Sequence, residues 1–243
     1  MIRAPVAGMT EGPRTLPEDT SAYLCRVLRL RSGDRFVAFD PDTRREADAV
    51  VDDATKAGAR VTIGPLRDAA VVARRPVVLV YALAKGDKVD AVIRDATELG
   101  ATDVFLAPTV RSIVRLDEGK ATTKEDRWRR IAEQAARQSG RADPPRVALT
   151  PEWRSALERA ANLADARFVL DPHAGEPLGP RLGAAIARDS SLAIAVGPEG
   201  GLAPEEIEQA ELAGFTPASV GRFVLRTETV AAAVLGAVRV LQG

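Results

Sequence analysis

Leu192-Ala193-Ile194-Ala195-Val196, followed by Gly197-Pro198-Glu199-Gly200-Gly201, decides the fold of this chain. Five unbroken apolar residues are of strand length, and they stop abruptly at a proline and three glycines. Leu202-Ala203-Pro204 leads into Glu205-Glu206-Ile207, where proline and acidic residues in the first turn mark a helix start. Strand, tight loop and helix form the repeating unit of an α/β fold. A second stretch, Val220-Gly221-Arg222-Phe223-Val224-Leu225-Arg226-Thr227-Glu228-Thr229, reads as a short strand running into the start of an Ala/Val-rich helix. Glycine leaves no Cβ between backbone and ligand. Two such loops at one end of a sheet make one crevice.

Upstream, the same rhythm holds from a linker at Ala73-Arg-Arg-Pro76. Val77–Leu83 reads as a buried strand, Asp87–Leu99 as a helix with Val89, Val92, Ile93, Ala96 and Leu99 at helical spacing, and Asp103–Ala107 as the next strand. Lys124–Ser139 is amphipathic, with Trp128, Ile131, Ala132, Ala135 and Ala136 on one face and Arg130, Gln134, Arg137, Gln138 and Arg141 on the other. Trp153–Leu163 reads as a helix, Arg167–Leu170 as a strand and Asp171–Gly175 as its loop; Ala218–Val220 closes the set of strands. The last helix, from Glu228 to about Leu241, is apolar all round, so burial on all sides is expected. Residues 1–72 differ: Arg35–Phe39, Glu46–Val51 and Ala59–Ile63 are short strands with turns between them, the pattern of a small barrel. Arg26, Arg29, Arg31 and Arg35 crowd one expected hairpin, as either a charged edge or an RNA contact.

Composition narrows the chemistry. The 243 residues are 46% apolar and 28% charged, the make-up of a soluble globular protein. No apolar run reaches membrane-spanning length. A single cysteine, Cys25, and a single histidine, His173, exclude an internal disulfide and a structural zinc site and point to a reducing cytoplasm; the histidine lies in a Pro/Gly loop, a poor setting for a Ser/His/Asp triad. The charges cancel, 34 basic against 34 acidic, but unevenly: residues 111–146 carry ten basic and six acidic residues, and residues 199–228 carry two and six. An RNA footprint would therefore be a local patch. With no phosphate loop and no dinucleotide fingerprint, the chemistry has to come from another cofactor or from Arg, Glu and Lys.

The two glycine stretches, about twenty residues apart, resemble those of the 16S ribosomal RNA uridine N3-methyltransferase family (RsmE), a branch of the SPOUT methyltransferases. Leu83–Lys88, Glu98-Leu99-Gly100, Arg111–Val114 and Gln138-Ser139-Gly140-Arg141 are similar to further family segments, and Tyr23–Arg29 with Gly33-Asp34 resembles its N-terminal domain. Ala22, Val110 and Val230 depart from the pattern, standing where the family has a histidine, an acidic residue and an alanine. The resemblance implies a PUA-like β-barrel RNA-binding domain over residues 1–72 and a SPOUT α/β domain with a deep trefoil knot over 73–243. It implies S-adenosylmethionine as cofactor, no metal, a homodimer through the last helix, and 16S rRNA of the small ribosomal subunit as substrate. Cofactor contacts are expected at Leu170, Asp171, Gly197, Pro198, Glu199, Gly200, Gly201, Val220, Gly221, Leu225, Arg226 and Thr227. RNA contacts are expected at Arg26, Arg29, Lys85, Arg111, Gln138 and Arg141. N3 of neutral uracil carries a proton and needs a base, or stabilisation of the O2/O4 anion. Arg226 is the candidate for anion stabilisation. Glu228 is expected to orient Arg226, to act as the base, or only to favour the helix dipole. Ribose 2′-O-methylation and non-catalytic ribosome assembly are the alternatives.

Overall fold

Short alternating strands build the first unit, seen in a computed structural model that describes residues 2–55, 58–84, 87–112 and 118–242. This unit takes in residues 1–72 and also 136–144. Its strands are β1 (Arg3–Pro5), β2 (Gly12–Thr15), β3 (Arg35–Asp40), β4 (Arg45–Thr55), β5 (Gly58–Ile63) and β6 (Arg67–Asp68). They form one sheet in the order β1-β3-β4-β5-β2, with β6 paired to β4; β1–β3 is parallel and the other pairs are antiparallel. Along β5 the residues alternate between buried and more exposed, and Val61 and Ile63 join Phe36, Ala38, Ala47, Ala49 and Val51 in the core.

Where a hairpin is expected after residue 22, the chain is helical instead. Helix α1 (Glu18–Ala22) continues as a wider π turn over Tyr23–Val27, in which the Leu28 N–H donates to the Tyr23 carbonyl at 3.0 Å. The four-residue spacing of Leu24 and Leu28 puts both on the core side, a helical period rather than a strand period. Arg29, at φ 57, ends the turn, and the Leu30 N–H closes back on the Leu24 carbonyl at 3.0 Å. Arg26 and Arg29 are exposed there. Residues 136–144 join this unit because the Ala142 N–H donates to the Val71 carbonyl, Ala142 packs with Phe39 and Ala69, and Arg3 donates to the Gly140 carbonyl at 2.9 Å.

The second unit takes in residues 73–135 and 145–243. Its elements follow in order: β7 (Val77–Ala82), α2 (Lys88–Glu98), β8 (Asp103–Ala107), α3 (Glu118–Ser139, of which residues 136–139 count with the first unit), β9 (Arg146–Leu149) and α4 (Trp153–Ala161). Then come β10 (Ala166–Leu170), α5 (Leu178–Ala187), β11 (Leu192–Val196), α6 (Pro204–Leu212), β12 (Thr216–Ala218) and α7 (Thr227–Gln242). All strand pairs are parallel, in the order β12-β10-β11-β7-β8-β9. A parallel sheet is covered on both faces, so its strands are apolar without alternation. In β7, Leu79 and Tyr81 face a core shared with α2, α3, α5 and α7, while Val78 and Val80 face one shared with α4 and α6. Each such buried aliphatic side chain contributes roughly 1.5–3 kcal/mol.

Two further expectations change here. The last strand ends at Ala218, two residues early, because it is an edge strand that tolerates Pro217. Residues 220–226 are therefore a loop, with Phe223 and Val224 both 85% exposed. Helix α7 buries one face only, through Ala231, Val234, Leu235 and Val238; Val240 and Leu241 are exposed in the single chain.

Candidate active site

In a parallel sheet every strand points the same way, so the loops after β11, β10 and β12 leave from one edge. These neighbouring loops begin at Gly197, Asp171 and Ser219. Backbone bonds lace two of them together: the Asp171 N–H donates to the Ala218 carbonyl at 3.1 Å, the Ser219 N–H to the Glu176 carbonyl, and the Leu178 N–H to the Ser219 carbonyl. Leu170, Asp171, Gly197–Gly201, Val220 and Gly221 thus meet at one edge, followed along the third loop by Leu225, Arg226 and Thr227.

The glycines of these loops differ in purpose. A Cβ on Gly197 would sit 2.7 Å from Leu202 Cγ, so close packing demands glycine there. Gly201 and Gly221 lie in the left-handed region at φ 73 and 66. A Cβ on Gly221 would meet nothing within 4 Å, so its backbone faces open space rather than a packed neighbour. Leu170 is 9% exposed and the half-buried Val220 packs against the same core, while Leu225, farther along the third loop, is 37% exposed. Open loop backbone at Gly221, followed by the exposed Leu225, suits the adenosyl part of S-adenosylmethionine.

A charged cluster stands beside the glycine loop. Lys88 Nζ lies 2.5 Å from Glu199 Oε1 and 3.6 Å from Glu228 Oε2. The hydrogen bond to Glu199 raises the Lys88 pKa, and the same bond lowers that of Glu199. Glu228 is held below the usual carboxylate range, first by the backbone N–H at the start of α7 and also by Lys88, against the opposing effect of burial. Behind them the buried Tyr81 hydroxyl donates to Thr227 Oγ1 at 2.8 Å, and burial pushes its pKa up to about 12. Thr227 in turn donates to Glu228 Oε2 at 3.2 Å. Arg111 Nη1 donates to the Gly200 carbonyl at 2.6 Å. Glu206, 4% exposed, accepts from the Ala203 N–H and the Val110 N–H, both at 2.8 Å.

Several expected roles shift accordingly. Glu228 pairs with Lys88 rather than orienting Arg226, which makes no ion pair among the described residues. A carboxyl with a lowered pKa is also a poorer proton acceptor, so the base role weakens. Arg111 is engaged by the glycine loop. Arg141 is 4% exposed, and its guanidinium binds the Asp143 carboxylate at 3.1 Å and carbonyl at 2.9 Å rather than standing open to solvent. Gln138 is exposed in the same unit. Lys85, Ile113 and Val114 lie outside the described residues. Lys88, Tyr81 and Glu206 are the residues that motif reading misses. For Glu206 the signal was present, an acidic residue three positions after a helix entry.

The family is shown by comparison. Residues 72–239 match the RNA methyltransferase domain model, and residues 16–64 match the RNA methyltransferase PUA domain. The chain is 37% identical over 228 residues to the ribosomal RNA small subunit methyltransferase E of Mycobacterium bovis, covering 92% of this chain and 84% of that one. The chain belongs to the ribosomal RNA small subunit methyltransferase E family. The Bacillus subtilis member is 29% identical over 222 residues, covering 89% and 85%. The Neisseria gonorrhoeae member, solved bound to S-adenosyl methionine, superposes with a TM-score of 0.83 at 26% identity, covering 99% of this chain and 98% of that one. Family membership gives the second unit an RNA methyltransferase domain and the first a PUA-like one.

Proposed function

We propose that this protein transfers the methyl group of S-adenosylmethionine to N3 of a uridine in 16S rRNA of the small ribosomal subunit. One observation carries the reading: three loops leave neighbouring parallel strands at one edge, and two of them carry left-handed glycines. Bound there, the cofactor supplies an activated methyl group, so the protein is left with binding, orientation and control of charge. The backbones around Gly200, Gly201 and Gly221 hold the adenosyl part, with Leu170, Val220 and Leu225 as apolar walls. Arg226 is exposed just before the first turn of α7. Its guanidinium, with the positive end of the helix behind it, stabilises the negative charge that spreads to O2 and O4 as N3 gives up its proton. Glu228 holds Lys88 in this cluster, and the N3 proton passes to solvent water as the methyl group is transferred.

The wider picture rests on the family resemblance. We infer that the second unit is a SPOUT domain whose chain forms the trefoil knot, and that the first unit's sheet curls into a PUA-type barrel. Arg26, Arg29 and Gln138 contact RNA, while Arg141 stiffens the turn after α3. The exposed side of α7, with Ala233, Ala237 and Val240, pairs with a second copy in a homodimer. A cytoplasmic location follows from the substrate.

The reading is tested with methyl-labelled S-adenosylmethionine and small subunits that lack the modification. Label should enter assembled particles or structured rRNA, and scarcely enter short unstructured oligonucleotides. Tight cofactor binding with no transfer to any RNA would overturn it in favour of an assembly factor.

A further inference from the structure

Lys88 is the first residue of α2, and that position needs explaining. A cation in the first turn opposes the helix dipole, so local helix stability does not account for it. Its ammonium instead lies between two carboxylates on two separate loops, 2.5 Å from Glu199 and 3.6 Å from Glu228. Glu228 is the fixed end, because Tyr81, fully buried in the sheet, holds Thr227, and Thr227 holds the same Glu228 oxygen that faces Lys88. Glu199 is the less constrained end, on the half-exposed glycine loop, where Arg111 grips the next carbonyl. Without the ammonium, two negative charges would face each other across these loops and push them apart.

We infer that Lys88 is a positioning residue of the cofactor site: by tying Glu199 to Glu228 it sets the spacing between the 197–203 loop and the loop that enters α7. The inference rests on the reading that these two loops hold S-adenosylmethionine. Lys88 itself stays paired with protein carboxylates and contacts no reacting atom. Its loss is felt as cofactor affinity and loop order rather than as chemistry.

The test uses the full-length protein and two readouts besides activity: calorimetric titration with S-adenosylmethionine, and amide hydrogen exchange in ligand-free protein. Lys88→Met should weaken binding by about three- to tenfold, in keeping with a half-exposed pair plus released repulsion. It should speed exchange across residues 197–203 while leaving β7 and β11 protected. Turnover at saturating cofactor should stay within about twofold of wild type, so the effect falls on KM rather than kcat. Lys88→Arg should restore most of the affinity. Adding Glu199→Gln to Lys88→Met should recover part of it by removing the repulsion. If Lys88→Met fails to fold, Glu199→Gln alone should weaken binding in the same direction. Native affinity in Lys88→Met, or in Glu199→Gln, overturns the inference. So does a rise in exchange spread over the whole sheet, which would mark a purely structural role. A wild-type protein that binds no S-adenosylmethionine would instead remove the cofactor reading itself.

Discussion

Glu206→Ala is the sharpest probe of how the glycine loop is held. The Glu206 side chain is buried at the start of α6, and its two oxygens each accept one backbone N–H at 2.8 Å. One donor, Ala203, is itself buried at 6% exposure; the other, Val110, belongs to the segment whose Arg111 grips Gly200. A hydrogen bond to a charged acceptor is worth about 1.5–3 kcal/mol, and a buried donor left alone costs about 1–3 kcal/mol. Counting the Ala203 bond in full and the more accessible Val110 bond at the low end gives a loss of about 2–4 kcal/mol. For a unit of this size that corresponds to a fall in Tm of about 6–12 °C. Glu206→Gln keeps one acceptor but turns an NH2 group toward the other donor, so it should lose about half as much, roughly 1–2 kcal/mol. Urea unfolding followed by tryptophan fluorescence reads this unit alone. Both tryptophans, Trp128 and Trp153, are buried in it, and the Trp153 indole donates to the Glu206 carbonyl at 3.3 Å. A loss below about 0.5 kcal/mol for the alanine variant, or equal losses for Ala and Gln, would refute the two-acceptor reasoning.

Three further outcomes are expected. Gly221→Val forces a β-branched residue to φ 66 and points its side chain into the open space beside the loop, so calorimetry should find S-adenosylmethionine binding abolished while the circular dichroism stays native. Arg226→Ala should lower kcat by about 10²-fold with RNA affinity changed by less than about threefold, as expected for a group acting on charge that develops in the transition state. The lowered pKa of Glu228 contributes stability that is fully present above the ordinary glutamate value of 4.5 and is lost as pH falls through the lowered folded value. The wild-type urea midpoint should therefore fall below about pH 4.5 more steeply than that of Glu228→Gln.

Legibility followed burial. Leu192–Val196 is an inner strand with both faces covered, so its five apolar residues show their state without ambiguity. Helix α2 was equally plain, since Val89, Val92, Ile93 and Ala96 repeat at helical spacing and Gly100 stops it at φ 99. The edges were harder to read. Strand β12 is short and half-covered, and Pro217 blurs its pattern, so its end and the loop after it could not be placed from apolar spacing. The turn signal at Ser32-Gly33-Asp34 before the strand from Arg35 suggested a hairpin, and the arginines of residues 26–35 did not argue against it, because charge reads alike on a strand edge and a helix surface; the Leu24–Leu28 spacing distinguishes the two. Arg141 shows the same limit. A basic residue at a helix end reads as an RNA contact from sequence, while the structure pairs it with Asp143 and leaves both side chains buried. The Lys88 cluster joins residues 111 and 140 positions apart, a contact that only the sheet order creates.

The identity of the methylated nucleoside tests the central claim most directly. Small-subunit rRNA labelled by this protein with S-adenosylmethionine is digested to nucleosides and separated by chromatography, which resolves two products of equal mass gain. The account predicts label in N3-methyluridine, and its loss with Arg226→Ala. Label in 2′-O-methyluridine would contradict the chemistry assigned to Arg226 and move the protein to ribose methylation.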